Sequence, residues 1–220
     1  MATTTTRNAQ NVIFWDDAEI YFSTDPEAVV NPDGTFGETW ANIGYLNEGG
    51  DLGQERDTER IEAKGFGGRL LRTKQKFTKD TLTFVAAEDN ETIHSLLWPN
   101  SPYVEDGSGV LRVPRDAEGI IARKLIDDAG RVVIDVSRAP ASVYPNSLGQ
   151  NDAGHQTREF TAEVRPDDLG GLYDRLVIQP GESTLEPLEV IRIGSQNTGQ
   201  SAQSTQGTAP AIARPAAQDD

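Results

Sequence analysis

The chain has 220 residues, a length that suits one domain with a substantial core, and 36% of its residues are hydrophobic. Its formal net charge of -15 argues against a protein that binds nucleic acid through the phosphates, because such binding needs a basic face. Cysteine is absent, which excludes disulfides, thiolate metal sites and cysteine nucleophiles. Stability is therefore expected to come from packing or assembly.

The two ends of the chain differ from its middle. The first ten residues, MATTTTRNAQ, lack the apolar core of a signal peptide, and no apolar run approaches the length of a bilayer span. We expect a soluble product made in the cytoplasm, with no membrane insertion of this chain. Residues 195–220 consist mainly of Ser, Gln, Thr, Gly, Ala and Pro without an aromatic residue, and are predicted to form a disordered polar tail.

Alternation of apolar and polar residues dominates the middle of the chain and indicates β-strands. Turn sequences separate the strands, as at Asn31-Pro32-Asp33-Gly34 and at residues 127–130, which join two apolar runs at hairpin spacing. The fold is therefore predicted to be mainly β and mostly antiparallel. The predicted strands include residues 12–15, 19–22, 81–86, 119–126, 132–137, 159–165 and 188–193.

One short helix is predicted after the strand that ends near Ala86. Asp89 or Asn90 can cap its first turn, and Pro99 prevents its continuation. An apolar stripe on this helix is predicted to pack on the sheet, and it consists of Ile93, Leu96 and Leu97.

Residues 47–79 are polar, show little apolar alternation and are predicted to form a long charged connection. Their charges are sorted, since acidic residues precede Lys64 and the following charged residues are basic apart from none before Lys79. A compact domain rarely keeps so long a connection without a use for it. The glycines at 65, 67 and 68 resemble a phosphate-binding loop, but no buried strand precedes them, so a flexible hairpin tip is the better interpretation.

No catalytic set is visible in the sequence. His94 and His155 are the only histidines, and they lie far apart along the chain. His94 falls on the predicted helix and is interpreted as an ordinary, partly exposed residue. Acidic pairs such as Glu88-Asp89 and Asp167-Asp168 are expected by chance in a chain with 35 acidic residues. We predict no enzyme activity, no catalytic residue, no metal site and no cofactor.

The three tryptophans leave two interpretations open. Trp15, Trp40 and Trp98 can be core or interface anchors, or they can form a platform on which a sugar stacks. The second interpretation belongs to a carbohydrate-active enzyme of the β-sandwich type that uses paired carboxylates.

Four runs of sequence resemble the major tail tube proteins of long-tailed bacteriophages, especially the non-contractile siphovirus type that infects actinobacteria. These runs are EIYFSTDPEAV (19–29), WANIGYL (40–46), GGDLGQERDTERIEAKG (49–65) and, above all, LTFVAAEDNETIHSLLWPNS (82–101). The order of an arm, a long charged loop, a strand that enters "EDN" and a helix, and then antiparallel strands also fits this family. The resemblance covers roughly residues 10–194.

The resemblance implies an antiparallel β-sandwich or barrel-like tail tube fold with one flanking short α-helix, a long charged loop and an N-terminal arm. It divides the chain into an arm (1–20), a tail tube β domain (21–194) and the polar C-terminal tail (195–220). Six subunits would form a ring, and stacked rings would form the tail tube of a virion, the conduit for genome ejection. The expected partners are further copies of the chain, the tape-measure protein and genomic DNA in the lumen, and the tail terminator and tail tip proteins.

The sorted charges are hypothesised to join one ring to the next, although they can equally pair within their own hairpin or face water. The candidate inter-ring residues are Asp51, Glu55, Arg56, Asp57, Glu59, Arg60, Glu62, Lys64, Arg69 and Arg72. Two other structural roles share the fold, namely a tail terminator and the tube of a contractile injection system. The β-sandwich carbohydrate-active enzyme remains the alternative from a different class.

Overall fold

The structure is a computed structural model that describes residues 13–47, 52–149, 156–180 and 191–192. Within these residues the chain forms eleven strands and one α-helix, and every strand pair is antiparallel. The predicted mainly β, antiparallel fold is confirmed. The elements are β1 (Trp15–Ser23), β2 (Val29–Val30), β3 (Ala41–Asn42), β4 (Gly53–Lys64), β5 (Leu70–Ala86), α1 (Glu91–Leu97), β6 (Ala117–Asp127), β7 (Val132–Ser137), β8 (Ala141–Gly149), β9 (Thr157–Val164), β10 (Tyr173–Ile178) and β11 (Ile191–Arg192).

Nine strands form one sheet whose main path runs β10-β7-β6-β8-β9-β5-β4. The centre is β6, which pairs with β1 along most of its length, with β7 near its end and with β8 near its beginning. Within the described part of the chain β4 pairs only with β5, and β10 pairs only with β7, so the sheet is not closed. The subunit therefore has two sheet edges that no described strand covers.

Strands β1 and β5 do not pair, yet their side chains meet in one core. Ile20 and Phe22 of β1 lie in the same buried cluster as Leu82 and Phe84 of β5, so the two parts of the sheet face each other. Phe84 stacks on Phe160 of β9, with ring centroids 5.3 Å apart. Since β1 begins at Trp15, it crosses residue 20, the expected end of the N-terminal arm.

A second core lies on another face of β6 and β7. Trp40 is buried there and donates from its indole nitrogen to the carbonyl oxygen of Val29, 3.0 Å away. Phe36 packs edge-on against Trp40 and stacks on Tyr21. The other buried members are Ala28, Val30, Ile120, Ala122, Ile134, Val136 and Leu176.

The helix α1 follows the sequence closely. The Asn90 side chain caps it by accepting a hydrogen bond from the Ile93 amide at 2.9 Å. Ile93, Leu96 and Leu97 are all buried in the first core, because their spacing places them on one face.

The expected long charged loop is instead a long hairpin, because residues 53–64 and 70–86 pair as β4 and β5. Its outer part shows no apolar alternation since neither face is covered by the subunit, so the usual sequence signal of a strand is missing. Opposite charges face each other across the strands at Asp57 and Lys79 and at Glu59 and Lys76, which favours the pairing.

The polar side of β7 also differs from its sequence prediction. The alternation places Asp135 and Ser137 opposite the apolar residues of the strand, on a side that would face water, but both are buried. The Ser137 hydroxyl accepts a hydrogen bond from the Ile121 amide at 3.0 Å. Asp135 is enclosed by two arginines from the neighbouring strands β6 and β10. Both faces of β7 are therefore covered.

Candidate functional site

The outer part of the β4–β5 hairpin projects from the subunit. From Thr58 to Lys76 every residue is exposed except Gly65, which is half-buried, so both faces of the ribbon meet solvent. Two-stranded ribbons without a covering layer are marginally stable in water. A ribbon of this length is consistent with a role that involves contact with another surface.

The turn of the hairpin depends on glycine. Gly67 and Gly68 both have φ of +80°, a backbone conformation that side chains with a Cβ disfavour. The Gly65 amide donates to the Arg69 carbonyl oxygen at 2.8 Å and closes the turn. The interpretation of residues 65–68 as a hairpin tip, and not as a phosphate loop, is confirmed by their position.

Several charges of the hairpin pair within it. Lys79 Nζ lies 3.9 Å from Asp57, and Arg56 Nε lies 3.6 Å from Asp80. Glu62 contacts two basic neighbours on its own strand, Arg60 at 3.6 Å and Lys64 at 3.4 Å. Exposed pairs of this kind contribute about 0 to 1 kcal/mol each. The interpretation that the sorted charges pair internally therefore applies to part of the set.

The candidate interface residues divide between the two faces of the ribbon, and Asp51 lies outside the described residues. By strand alternation one face carries Glu55, Asp57, Glu59 and Arg72, and the other carries Arg56, Arg60, Glu62 and Lys64. Arg69 leaves the turn. Among described residues, those with no ion-pair partner are Glu55, Glu59, Arg69 and Arg72.

A polar network fixes the base of the hairpin to the rest of the subunit. Asp80 on β5 is fully buried and accepts a hydrogen bond from the Gln54 side-chain amide on β4. Gln54 also accepts from Arg123 of β6 at 3.3 Å. Burial and a hydrogen bond to the Asp80 carboxylate raise the pKa of Tyr173 on β10. Four strands that are far apart in the sheet order are joined here.

Asp135 continues the network on β7. It accepts from Arg123 Nη2 at 2.8 Å, and from Arg175 of β10 through Nε at 2.6 Å and Nη2 at 2.9 Å. Burial of Asp135 acts to raise its pKa, but the hydrogen bonds from Arg175 and Arg123 outweigh burial and hold the pKa below its usual value. Asp135 is therefore a buried anion between two cations.

The sequence analysis missed this network. Asp80 stands in phase with Leu82, Phe84 and Ala86, so the alternation of β5 already placed a carboxylate on the inward face. That signal was available in the sequence. No comparable signal exists for Asp135, whose burial depends on β10 and on arginines distant in sequence.

Lys79 forms a second junction, on the opposite face of the ribbon from Asp80. It donates to Glu163 of β9, and the Tyr144 hydroxyl of β8 donates to the same carboxylate at 3.0 Å. The hydrogen bond from Lys79 is the main reason that the pKa of Glu163 is lowered, with burial opposing it. The inner end of the hairpin is thus held on both faces.

A cleft of about 600 Å³ lies beside the open end of the hairpin, where β4 begins and β5 ends. Its wall combines exposed aromatic rings with carboxylates. Glu19 of this wall pairs with Lys124 at 3.1 Å, and Glu88 accepts from the Tyr45 amide at 3.0 Å. The lining residues are Trp15, Asp16, Asp17, Ala18, Glu19, Asn42, Gly44, Tyr45, Leu46, Asn47, Leu52 and Glu88.

The structure assembles no catalytic constellation around the candidates that the sequence raised. His94 lies on α1 with its ring edge-on to Tyr103, and His155 lies outside the described residues. Across the described ranges no group of three or more His, Asp or Glu side chains is arranged to hold a metal ion. Those same ranges contain no helix long and apolar enough to cross a membrane.

The tryptophans do not share a surface role. Trp40 is buried in the second core, and Trp98 is half-buried against the first. Trp15 alone of the three is strongly exposed, in the wall of the cleft. A sugar platform built from all three is therefore excluded.

No protein-family model matches the chain, and no curated protein matches it in sequence. Three solved structures are similar in outline. The tube-terminating cap of the anti-feeding prophage has a TM-score of 0.42 at 13% identity, covering 81% of this chain and 99% of that chain. The sheath–tube complex of the extracellular contractile injection system PVC in its extended state gives 0.40 at 11% identity, covering 79% and 100%. The sheath/tube terminator of that system gives 0.39 at 12% identity, covering 79% and 99%. TM-scores below 0.5 do not establish a common fold.

Proposed function

We propose that the chain is a structural subunit that assembles with further copies into stacked hexameric rings, forming the tail tube of a bacteriophage virion. The observation that carries this proposal is the projecting hairpin, whose outer part is exposed on both faces and retains charges with no ion-pair partner among the described residues. The resemblance of residues 19–29, 40–46, 49–65 and 82–101 to major tail tube proteins supports the specific form of assembly.

The open sheet supports assembly side by side. Strands β4 and β10 stand at the two ends of the main path, and each pairs on one side only within the described chain. Exposed edges invite uncontrolled pairing unless they are covered, and closing a barrel across subunits removes them. A ring of identical subunits would supply the missing neighbour for both edges.

The charged hairpin is proposed to join one ring to the next. Of the candidate residues, Glu55, Glu59, Arg69 and Arg72 are the strongest, because no partner within the described subunit neutralises them. The others keep part of their charge for a neighbour, since their internal pairs are exposed and weak.

The net charge gives a role to the lumen of such a tube. Six copies at -15 each would carry about -90 formal charges, and any share that lines the lumen would repel DNA phosphates. Repulsion would let the genome slide past the wall during ejection. The tape-measure protein would occupy the same lumen, and the terminator and tip proteins would bind the ends of the tube.

Electron microscopy of the purified protein tests the proposal. We expect rings and tubes of uniform diameter, and in purified particles a copy number among the highest of all tail components. Rings that never stack, together with a low copy number, would assign the chain to a tail terminator. A protein that stays monomeric at every concentration and binds oligosaccharide would instead favour the carbohydrate-active enzyme.

A further inference from the structure

The tip of the hairpin exposes apolar side chains in an otherwise polar ribbon. Phe66 is fully exposed at the turn, and Leu71 beside it is 66% exposed. Ile61 and Leu70 extend the same patch down the two strands, each 47% exposed. Apolar side chains grouped at the end of a projecting element mark a contact surface more often than scattered ones do.

The charge of this tip identifies its partner. Residues 58–78 contain six basic and two acidic residues, a net charge of +4, so the remainder of the chain carries -19 of the total of -15. A basic projection from a strongly acidic body is complementary to the body of another copy. The acidic surface that it needs is present on every subunit.

The acidic and aromatic cleft lies at the opposite end of the hairpin from the tip. The pairing of β4 with β5 runs from Gly53 and Thr83 beside the cleft to Lys64 and Leu70 beside the turn. Twelve residues of β-strand span about 40 Å. The cleft is therefore too far away to receive the tip of its own subunit.

The cleft and the tip match in chemistry. The cleft presents the exposed rings of Trp15 and Tyr45, and Tyr45 is 81% exposed. Beside Trp15 stand Asp16 and Asp17, which have no ion-pair partner among the described residues. Aromatic rings suit Phe66 and Leu71, and the carboxylates suit Arg69 and Arg72.

We propose that the hairpin tip of one subunit docks in the cleft of a second copy, which makes the cleft the receptor of the inter-ring contact. This inference rests on the proposed function, and it names the surface that the hairpin binds. The two surfaces differ, so the contact is heterologous and repeats from copy to copy, as an open stack of rings requires.

Charge reversal tests the pairing. One variant, R69E/R72E, reverses the tip, and a second, D16R/D17R, reverses the cleft. Each variant alone would place like charges together and is expected to lose assembly by at least about tenfold in apparent Kd. An equimolar mixture is expected to assemble again, because each tip then meets an opposite cleft. A chain with all four substitutions is expected to assemble by itself. Sedimentation and electron microscopy measure these outcomes, and circular dichroism verifies folding.

A matched control separates the contact from net charge. R112E/R115E alters charge as much as the tip variant does, at exposed positions outside the hairpin, and should assemble like the wild type. If either reversed variant assembles normally, or if the folded variants fail to restore assembly together, the docking inference is wrong while the proposed function stands. If the wild-type chain forms no assembly under any condition, both are overturned.

Cross-linking gives a second measurement that detects weak contact. The chain has no cysteine, so F66C and Y45C each introduce a single thiol. In an oxidised mixture we expect disulfide-linked pairs between the two variants to exceed those between Y45C and a control, L169C, whose position is also strongly exposed. Equal yields would contradict the docking.

Discussion

Buried acidic residues at Asp80 and Asp135 decide how the hairpin is held. Both occupy positions on strands where an apolar side chain would ordinarily pack, and both are enclosed by hydrogen-bond donors from other strands. A buried ion pair is not by itself a source of large stability, because desolvation opposes the attraction. Its geometry does fix the relative orientation of the strands, which is the property that a projecting hairpin needs.

Replacing Asp135 by Asn is expected to destabilise the subunit. The amide cannot balance the charges of Arg123, which is 13% exposed, and Arg175, and removing one partner of a buried pair costs about 3 to 5 kcal/mol. Urea unfolding measures the loss. The exposed Asp168, which has no described ion-pair partner, provides the control D168N, expected to change the free energy of unfolding by less than about 0.5 kcal/mol. Equal effects of the two substitutions would contradict the role of Asp135.

The same carboxylate predicts how stability depends on pH. Its pKa is lower in the folded than in the unfolded chain, so its contribution is complete above the unfolded value of about 3.9 and is lost as pH falls through the folded value. Glu163 shifts in the same direction. The wild-type free energy of unfolding is expected to decline below about pH 4, and D135N to decline less steeply. Parallel curves for the two proteins would rule out this linkage.

At the level of elements, the helix and the hairpin show where sequence is sufficient. The helix α1 could be predicted because its cap, Asn90, and its stripe, Ile93, Leu96 and Leu97, are local signals that tertiary packing only reinforces. The hairpin could not, since a strand exposed on both faces has no apolar period to reveal it. What remained visible was the sorted charge of its two strands and the glycines of its turn.

The cleft was beyond sequence reasoning for a different reason. Trp15, Tyr45 and Glu88 come from three separate segments that only the pairing of β1 with β6 and the bridge between Leu46 and Ala86 bring together. None of these residues carries a motif of its own. Their association is a property of the sheet topology, which local patterns do not encode.

Removing the outer hairpin is expected to separate folding from assembly. Asp57 and Lys79 are register partners, so replacing residues 58–78 by Asn-Gly joins them through a two-residue turn. Gln54, Arg56 and Asp80 keep their contacts, and no buried side chain is lost. The melting temperature should change by no more than a few degrees, about 4 °C per kcal/mol, whereas tubes should not form. Normal tubes from this variant would remove the hairpin from the assembly mechanism.

The whole molecule is polarised, with a basic, apolar-tipped projection at one end and an acidic, aromatic cleft at the other. Within the subunit, Arg123 and Asp135 are mostly shielded from water, whereas Arg69 and Arg72 at the tip are exposed. Salt screens exposed charges far more than buried ones. The two sets of charges are therefore expected to respond differently to ionic strength.

Raising the salt concentration from 0.1 to 1 M shortens the screening length from about 10 to about 3 Å. Wild-type assembly should weaken without disappearing, because the apolar contact of Phe66 and Leu71 is not screened. The deficit of R69E/R72E should shrink at the same time, since the repulsion that causes it is screened as well. Sedimentation across a salt series measures both, and unfolding of the unassembled subunit, governed by buried pairs, should change little. Assembly that is equally strong at both salt concentrations, with an undiminished deficit in the variant, would show that charge does not drive the contact.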